Sequence, residues 1–265
     1  MLKKIILNIL MVICLLMALG SGGYLAYYYY TSYQTENHFE VLRDMVKEEA
    51  SGDGTDDTKT SDYVDINGVS VQKKFEDLYR ENAHFVGWLQ IADTNIDYPV
   101  MYTPYEMEQG EYYIHRDFNE EYSQAGIPFV DSYCSLNPPT DNIIIYGHNM
   151  NSGKMFHDLL KYEDADFYNN HKTFRFDTIY GDGTYEVVAV IRAQILPEDS
   201  TEFKYYEFVN AGSSEIFDDY VDHIKQMSVI DTGVDVVYGD QLLTLSTCAY
   251  HVKDGRFAVI AKKID

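Results

Sequence analysis

Residues 5–30, IILNILMVICLLMALGSGGYLAYYYY, contain no charged side chain. Few stretches constrain a chain more. A run of this length and apolarity matches the hydrocarbon core of a bilayer, where only a helix satisfies every backbone group internally. Asn8 and the Gly20–Gly23 cluster are the main interruptions. The flanks agree with a span: Lys3 and Lys4 precede it, and Tyr24, Tyr27, Tyr28, Tyr29 and Tyr30 stand where an interfacial belt would lie. The positive-inside rule puts residues 1–4 in the cytoplasm as a short tail and everything after about residue 31 outside the cell. Ala18-Leu19-Gly20 loosely resembles a small-x-small cleavage site, the mark of a removable signal peptide. The apolar run continues past that site to Tyr30, which favours a retained, single-pass anchor in the cell membrane.

Everything charged apart from those two lysines lies beyond the anchor, so the exported part is two units more negative than the −23 of the whole chain. That balance excludes a protein that grips nucleic-acid phosphates and fits a solvated, acidic surface. With 46% hydrophobic and 15% aromatic residues, the same part is no disordered tail. Only Cys134 and Cys248 follow the anchor, too few for a disulfide-stapled scaffold. One bridge between them, or a free working thiol, are the two alternatives that composition leaves.

Residues 31–62 read as a juxtamembrane helix and a spacer. Phe39, Leu42, Met45 and Val46 have helical spacing within Glu36–Ala50, and SGDGTDDTKTSD (Ser51–Asp62) is polar, glycine-containing and devoid of apolar residues. The folded domain then covers 63–265. A helix is expected over Val71–Asn82, followed by a strand over Phe85–Ile91. Further short runs rich in Val, Ile, Tyr and Phe fall at 97–102, 126–133, 142–147, 173–180, 184–195, 241–247 and 257–263. Asp182-Gly183, Pro138-Pro139, Gly239-Asp240 and Asp254-Gly255 punctuate them. Helical interruptions are expected at Gly153–Tyr162 and Ser213–Met227. Many short strands, few helices and no βαβ rhythm point to a mainly β barrel or sandwich.

The chemistry concentrates in Leu242–Ile260, LLTLSTCAYHVKDGRFAVI. In a strand, Thr244, Ser246 and Cys248 share one face. Ala249–Gly255 is short and carries Asp-Gly, so the two apolar runs form a hairpin with Cys248 beside Arg256. A fixed cation favours the thiolate, and a guanidinium can donate to a carbonyl oxygen that turns negative during acyl transfer. A nucleophilic thiol also needs a proton carrier. Of eight histidines, His148 stands out because NIIIYGHN is an apolar strand ending just before it; His251, in the hairpin turn, is the rival.

TLSTC (Thr244–Cys248) resembles the TLxTC signature of sortases, membrane-tethered cysteine transpeptidases of Gram-positive bacteria. Arg256 in GRFAVI resembles the family's arginine at the start of the last strand, and IYGHN (Ile145–Asn149) its histidine segment. The resemblance spans roughly residues 75–265. With the anchor, the helix before the first strand and a helix-bearing insertion near 198–228, it is most similar to class B. It implies a sortase-type closed barrel of about eight strands with peripheral helices, needing neither metal nor cofactor. It implies catalytic roles for His148, Cys248 and Arg256, and a substrate groove lined by Thr247, Ser246 and Tyr146. The partners implied are exported proteins with a C-terminal, NPxT-like sorting signal and a peptidoglycan precursor amine. A pilin lysine as acceptor, or a non-catalytic peptide-binding surface protein on the same barrel, are the alternatives. An oxidised Cys134–Cys248 bridge would abolish the nucleophile, so Cys134 is expected free and mostly buried. The Asp-rich stretches match no calcium-loop spacing.

Overall fold

The computed structural model describes residues 2–50 and 62–265. The spacer expected over Ser51–Asp62 lies, up to residue 61, outside the described residues. The chain divides into two compact units, residues 1–41 and 42–265, taken separately below.

A single helix, α1 (Leu2–Ala50), covers both the apolar run and the segment expected to form a separate short helix. Its portion Lys3–Tyr27, 25 residues, is long and apolar enough to cross a membrane.

The second unit opens with a small hairpin that the sequence did not suggest, β1 (Tyr63–Ile66) and β2 (Val69–Gln72). Asn67 and Gly68 both have positive φ, the geometry of a tight two-residue hairpin turn. The helix expected from Val71 therefore starts later, as a 3₁₀ turn at Lys73–Phe75 running into α2 (Glu76–Glu81). Then come β3 (Phe85–Gln90), β4 (Asp97–Tyr102), a pair of 3₁₀ turns (Glu108–Gly110 and Tyr112–His115), β5 (Phe129–Val130) and β6 (Asn142–Tyr146). A 3₁₀ segment (Phe156–Glu163) and α3 (Ala165–Asn170) lead to β7 (Thr173–Thr178) and β8 (Thr184–Gln194). The insertion follows, with a 3₁₀ turn at Tyr205–Glu207 and α4 (Ser214–Met227), before β9 (Leu242–Cys248) and β10 (Gly255–Lys263). The run expected as a strand over 126–133 is reduced to the two residues of β5, because the backbone turns at Asp131, whose carboxylate caps the Tyr133 amide at 2.8 Å.

Eight strands close a barrel in the order β10-β8-β7-β3-β4-β5-β6-β9. Most neighbours are antiparallel, but β4–β5 and β6–β9 run parallel. β6 and β9 are buried on both faces nearly throughout, as parallel strands covered from inside and outside must be. The polar side chains they carry, Asn142, Thr244, Ser246 and Thr247, are hydrogen-bonded. The outer cover is the insertion. On α4, Phe217, Tyr220, Val221 and Ile224 recur at helical spacing and pack with Tyr205 on Val188, Leu242, Ala258 and Ile260. Ser213 caps that helix through the Ile216 amide, and Lys225 lies in its last turn. The face of β9 carrying Thr244, Ser246 and Cys248 is therefore the one the insertion roofs over.

Candidate active site

Register builds the site. In the β9–β10 hairpin, Cys248 lies directly opposite Arg256. Residues so paired have Cβ atoms about 4.5–5.5 Å apart and side chains on the same face. The turn that permits this is tight. Asp254 is left-handed (φ 54°), and a Cβ on Gly255 would collide with the Ala249 carbonyl oxygen.

On its other side β9 runs parallel to β6, with Tyr146 level with Ser246. Two residues further along both chains stand His148 and Cys248. The chains stay in step there: Gly147 N donates to Ser246 O at 3.2 Å, and Asn149 Nδ2 donates to the Cys248 carbonyl at 2.9 Å. Gly147 itself meets the Phe156 ring so closely that a Cβ would lie 2.8 Å from it. The sulfur thus sits at the middle of three adjacent strand ends, a guanidinium on one flank and an imidazole on the other. All three groups line one cavity of ≈ 390 Å³, together with Tyr146, Ser246, Thr247, Ile195 and Tyr206.

His148 is half-buried. Burial pushes its imidazolium form down, the Ile114 carbonyl 2.8 Å from Nε2 opposes that, and the neighbouring His115 adds to it. A carbonyl only accepts, so Nε2 keeps its proton and Nδ1 is the nitrogen free to gain and lose one. Arg256 Nη1 leans on its own strand, donating to the Gly255 carbonyl at 3.1 Å, while the guanidinium faces the cavity. His251 is exposed in the hairpin turn and is not among the residues lining the cavity.

The residues expected to line a groove are all at the cavity wall, and their hydroxyls are engaged. Ser246 Oγ and the Tyr205 hydroxyl lie 2.7 Å apart, Thr247 Oγ1 donates to the Gly147 carbonyl at 2.6 Å, and the Tyr146 hydroxyl donates to Asp131 at 3.0 Å. These side chains give the wall shape and rigidity rather than unused donors. Burial pushes the Tyr205 hydroxyl up to about 12, so it remains a neutral partner.

Cys134 is free and 3% exposed, with its thiol donating to the Asn142 carbonyl (3.5 Å) and accepting from the Ile144 amide (3.4 Å). Among the described residues no group of three or more His, Cys, Asp or Glu side chains is arranged to hold a metal ion.

Sequence reasoning missed several contributors. Asn149, at the end of IYGHN, bridges the Cys248 carbonyl to His157, whose Nδ1 is 2.8 Å from Asn149 Oδ1. His115, stacked on His148, sits in a 3₁₀ turn far away in sequence that carries no periodic signal. Ile195 and Tyr206 belong to the insertion, whose groove-facing side chains the pattern could not select.

Comparison with known proteins is consistent with this geometry. The family model of the sortase domain matches residues 89–264. A sortase B of Listeria monocytogenes is 38% identical over 192 residues, 72% of this chain and 73% of that protein. A sortase B of Staphylococcus aureus is 31% identical over 196 residues, 73% of this chain and 76% of that protein. Among solved structures, a Staphylococcus aureus sortase B–substrate complex superposes with a TM-score of 0.73 at 27% identity, covering 88% of this chain and 98% of the other.

Proposed function

This chain is a class B member of the sortase family, a cysteine transpeptidase, and from that premise we propose that it cleaves an NPxT-like C-terminal sorting signal after Thr through a thioester on Cys248. The acyl group then passes to a peptidoglycan amine. The observation that carries the reading is the placement of Arg256, Cys248 and His148 at three neighbouring strand ends around one cavity.

The steps follow from the groups present. The Cys248 thiolate attacks the Thr carbonyl carbon, and the oxygen takes up negative charge beside the Arg256 guanidinium, a fork of donors suited to an oxyanion. Collapse breaks the C–N bond, and the departing amine leaves with the proton from His148 Nδ1. The thioester retains the acyl half. An acceptor amine then attacks the thioester carbonyl, surrenders a proton to His148, and expels the thiolate. Ser246, Thr247 and Tyr146, locked by their own hydrogen bonds, form the groove wall against which the signal peptide lies. The apolar segment 5–30 of α1 anchors the domain, residues 63–265, to the outer face of the cell membrane, with residues 31–62 between anchor and domain and residues 1–4 in the cytoplasm. Support for that placement is the apolar length of Lys3–Tyr27 and the two lysines before it.

Incubating the protein with Asn-Pro-x-Thr peptides and a free amine tests this. Mass spectrometry should find the acyl fragment on Cys248 and, on adding amine, the amide product. Cys248→Ala should form neither. Amide product from that variant, or an adduct on Cys134, would remove Cys248 from the role of nucleophile.

A further inference from the structure

The 3₁₀ turn Tyr112–His115 touches His148 twice. The Ile114 carbonyl fixes which ring nitrogen keeps its proton. The next residue, His115, lays its ring against the His148 ring, with centroids 5.3 Å apart and planes 21° from parallel. His115 is exposed, and none of the steps above uses it.

Two stacked imidazoles do more than pack. Each can carry a positive charge near neutral pH, and at this separation the first charge resists the second. The other ionisable groups around His148 do not reproduce that contact. Cys248 on β9 and Arg256 on β10 line the same cavity, as do Glu111 and Asp131, but Asp131 is tied to the Tyr146 hydroxyl and the Tyr133 amide. Around His115, the Tyr122 ring stands 6.3 Å away. The adjacent Arg116 is drawn off to Glu108 at 2.7 Å and lies over the Tyr112 ring.

We propose that His115 is a positioning residue for the transfer reaction: its ring holds the His148 imidazole in place, and its charge works against a second positive charge on His148. The proposal rests on the reading of His148 as the acid that protonates the departing amine. Its consequence is a built-in brake. With a positive charge on His115, His148 gains its proton less readily than a solitary histidine in the same cavity would. The lowered imidazolium stability of His148, already due first to burial, includes this repulsion as a further contribution.

Two planar substitutions separate ring from charge. His115→Phe keeps a flat ring with no charge, and His115→Arg keeps a flat, stackable group with a permanent charge. NMR titration of the His148 ring in the full chain reads the effect directly. The midpoint is expected to rise in His115→Phe and to fall in His115→Arg. Transfer of peptide to amine near pH 7 should move with it, by about twofold or more upward and downward respectively, with KM for the peptide unchanged. Midpoints identical to the parent, or shifted in one direction by both variants, would reduce His115 to packing and overturn the proposal. Midpoints that separate while transfer rates do not would instead remove His148 from the acid's role, and His115 from the reaction with it.

Discussion

Cys134 and Cys248 belong to the same half of one barrel and differ in almost every respect that governs a thiol. Cys134 follows β5 and points into the packing between that segment and β6, where it is 3% exposed and hydrogen-bonded on both sides by backbone. Burial, above all, pushes its thiol up to about 12. Cys248 ends β9 half-exposed at a cavity wall, with Arg256 opposite and His148 level with it on the neighbouring strand. A thiol becomes a nucleophile by being ionised and reachable. Register and strand ends leave Cys248 reachable with a cation opposite it, whereas the sealed backbone around Cys134 denies access and disfavours its charged form.

The contrast is tested most severely at His148, the group proposed to carry the proton. His148→Ala should lower transfer by roughly 10²–10⁴-fold, the usual worth of a positioned acid–base group. Cys248 should remain alkylable, because access is unchanged. Steady-state kinetics with a fixed peptide and amine measures the loss. Near-normal turnover, with the loss appearing in His251→Ala instead, would show that the parallel β6–β9 register places the wrong imidazole. Arg256→Lys should cost less, about 10²-fold in kcat, since an ammonium keeps the charge but not the planar fork. An unchanged rate there would make Arg256 a strand-end residue, and the cation beside Cys248 would no longer distinguish it from Cys134.

Much of this was legible beforehand, for reasons that differ by element. β6, β8, β9 and β10 announce themselves because largely buried strands are rich in Val, Ile, Leu and Ala, and the Asp254-Gly255 turn fixes the hairpin that pairs Cys248 with Arg256. α4 was visible for the matching reason, an apolar stripe at helical spacing. The parallel contact of β6 with β9 was not, since it joins residues about a hundred positions apart and no local pattern encodes it. The β1–β2 hairpin leaves little local trace, because Asn67-Gly68 joins strands of only four residues, too short for alternation to register. The 3₁₀ turns were invisible as well. His115 and Ile114 reach His148 only through tertiary contact, so no local pattern points to the residues that touch its ring.

The smallest effect is also the cleanest control. Cys134→Ala should leave transfer and KM unchanged, because no group on Cys134 faces the cavity. The thiol is instead held by the Asn142 carbonyl and the Ile144 amide within the barrel wall. Removing it leaves a small void and one amide without its sulfur partner, a cost of about 1–2 kcal/mol in unfolding free energy, read by denaturant titration. Labelling with a thiol reagent on the folded protein should then follow Cys248 alone, vanishing in Cys248→Ala and persisting in Cys134→Ala. Rapid labelling at Cys134 in the native state would mean that the β5–β6 wall opens on the timescale of the reagent, and that burial is not what sets the two thiols apart.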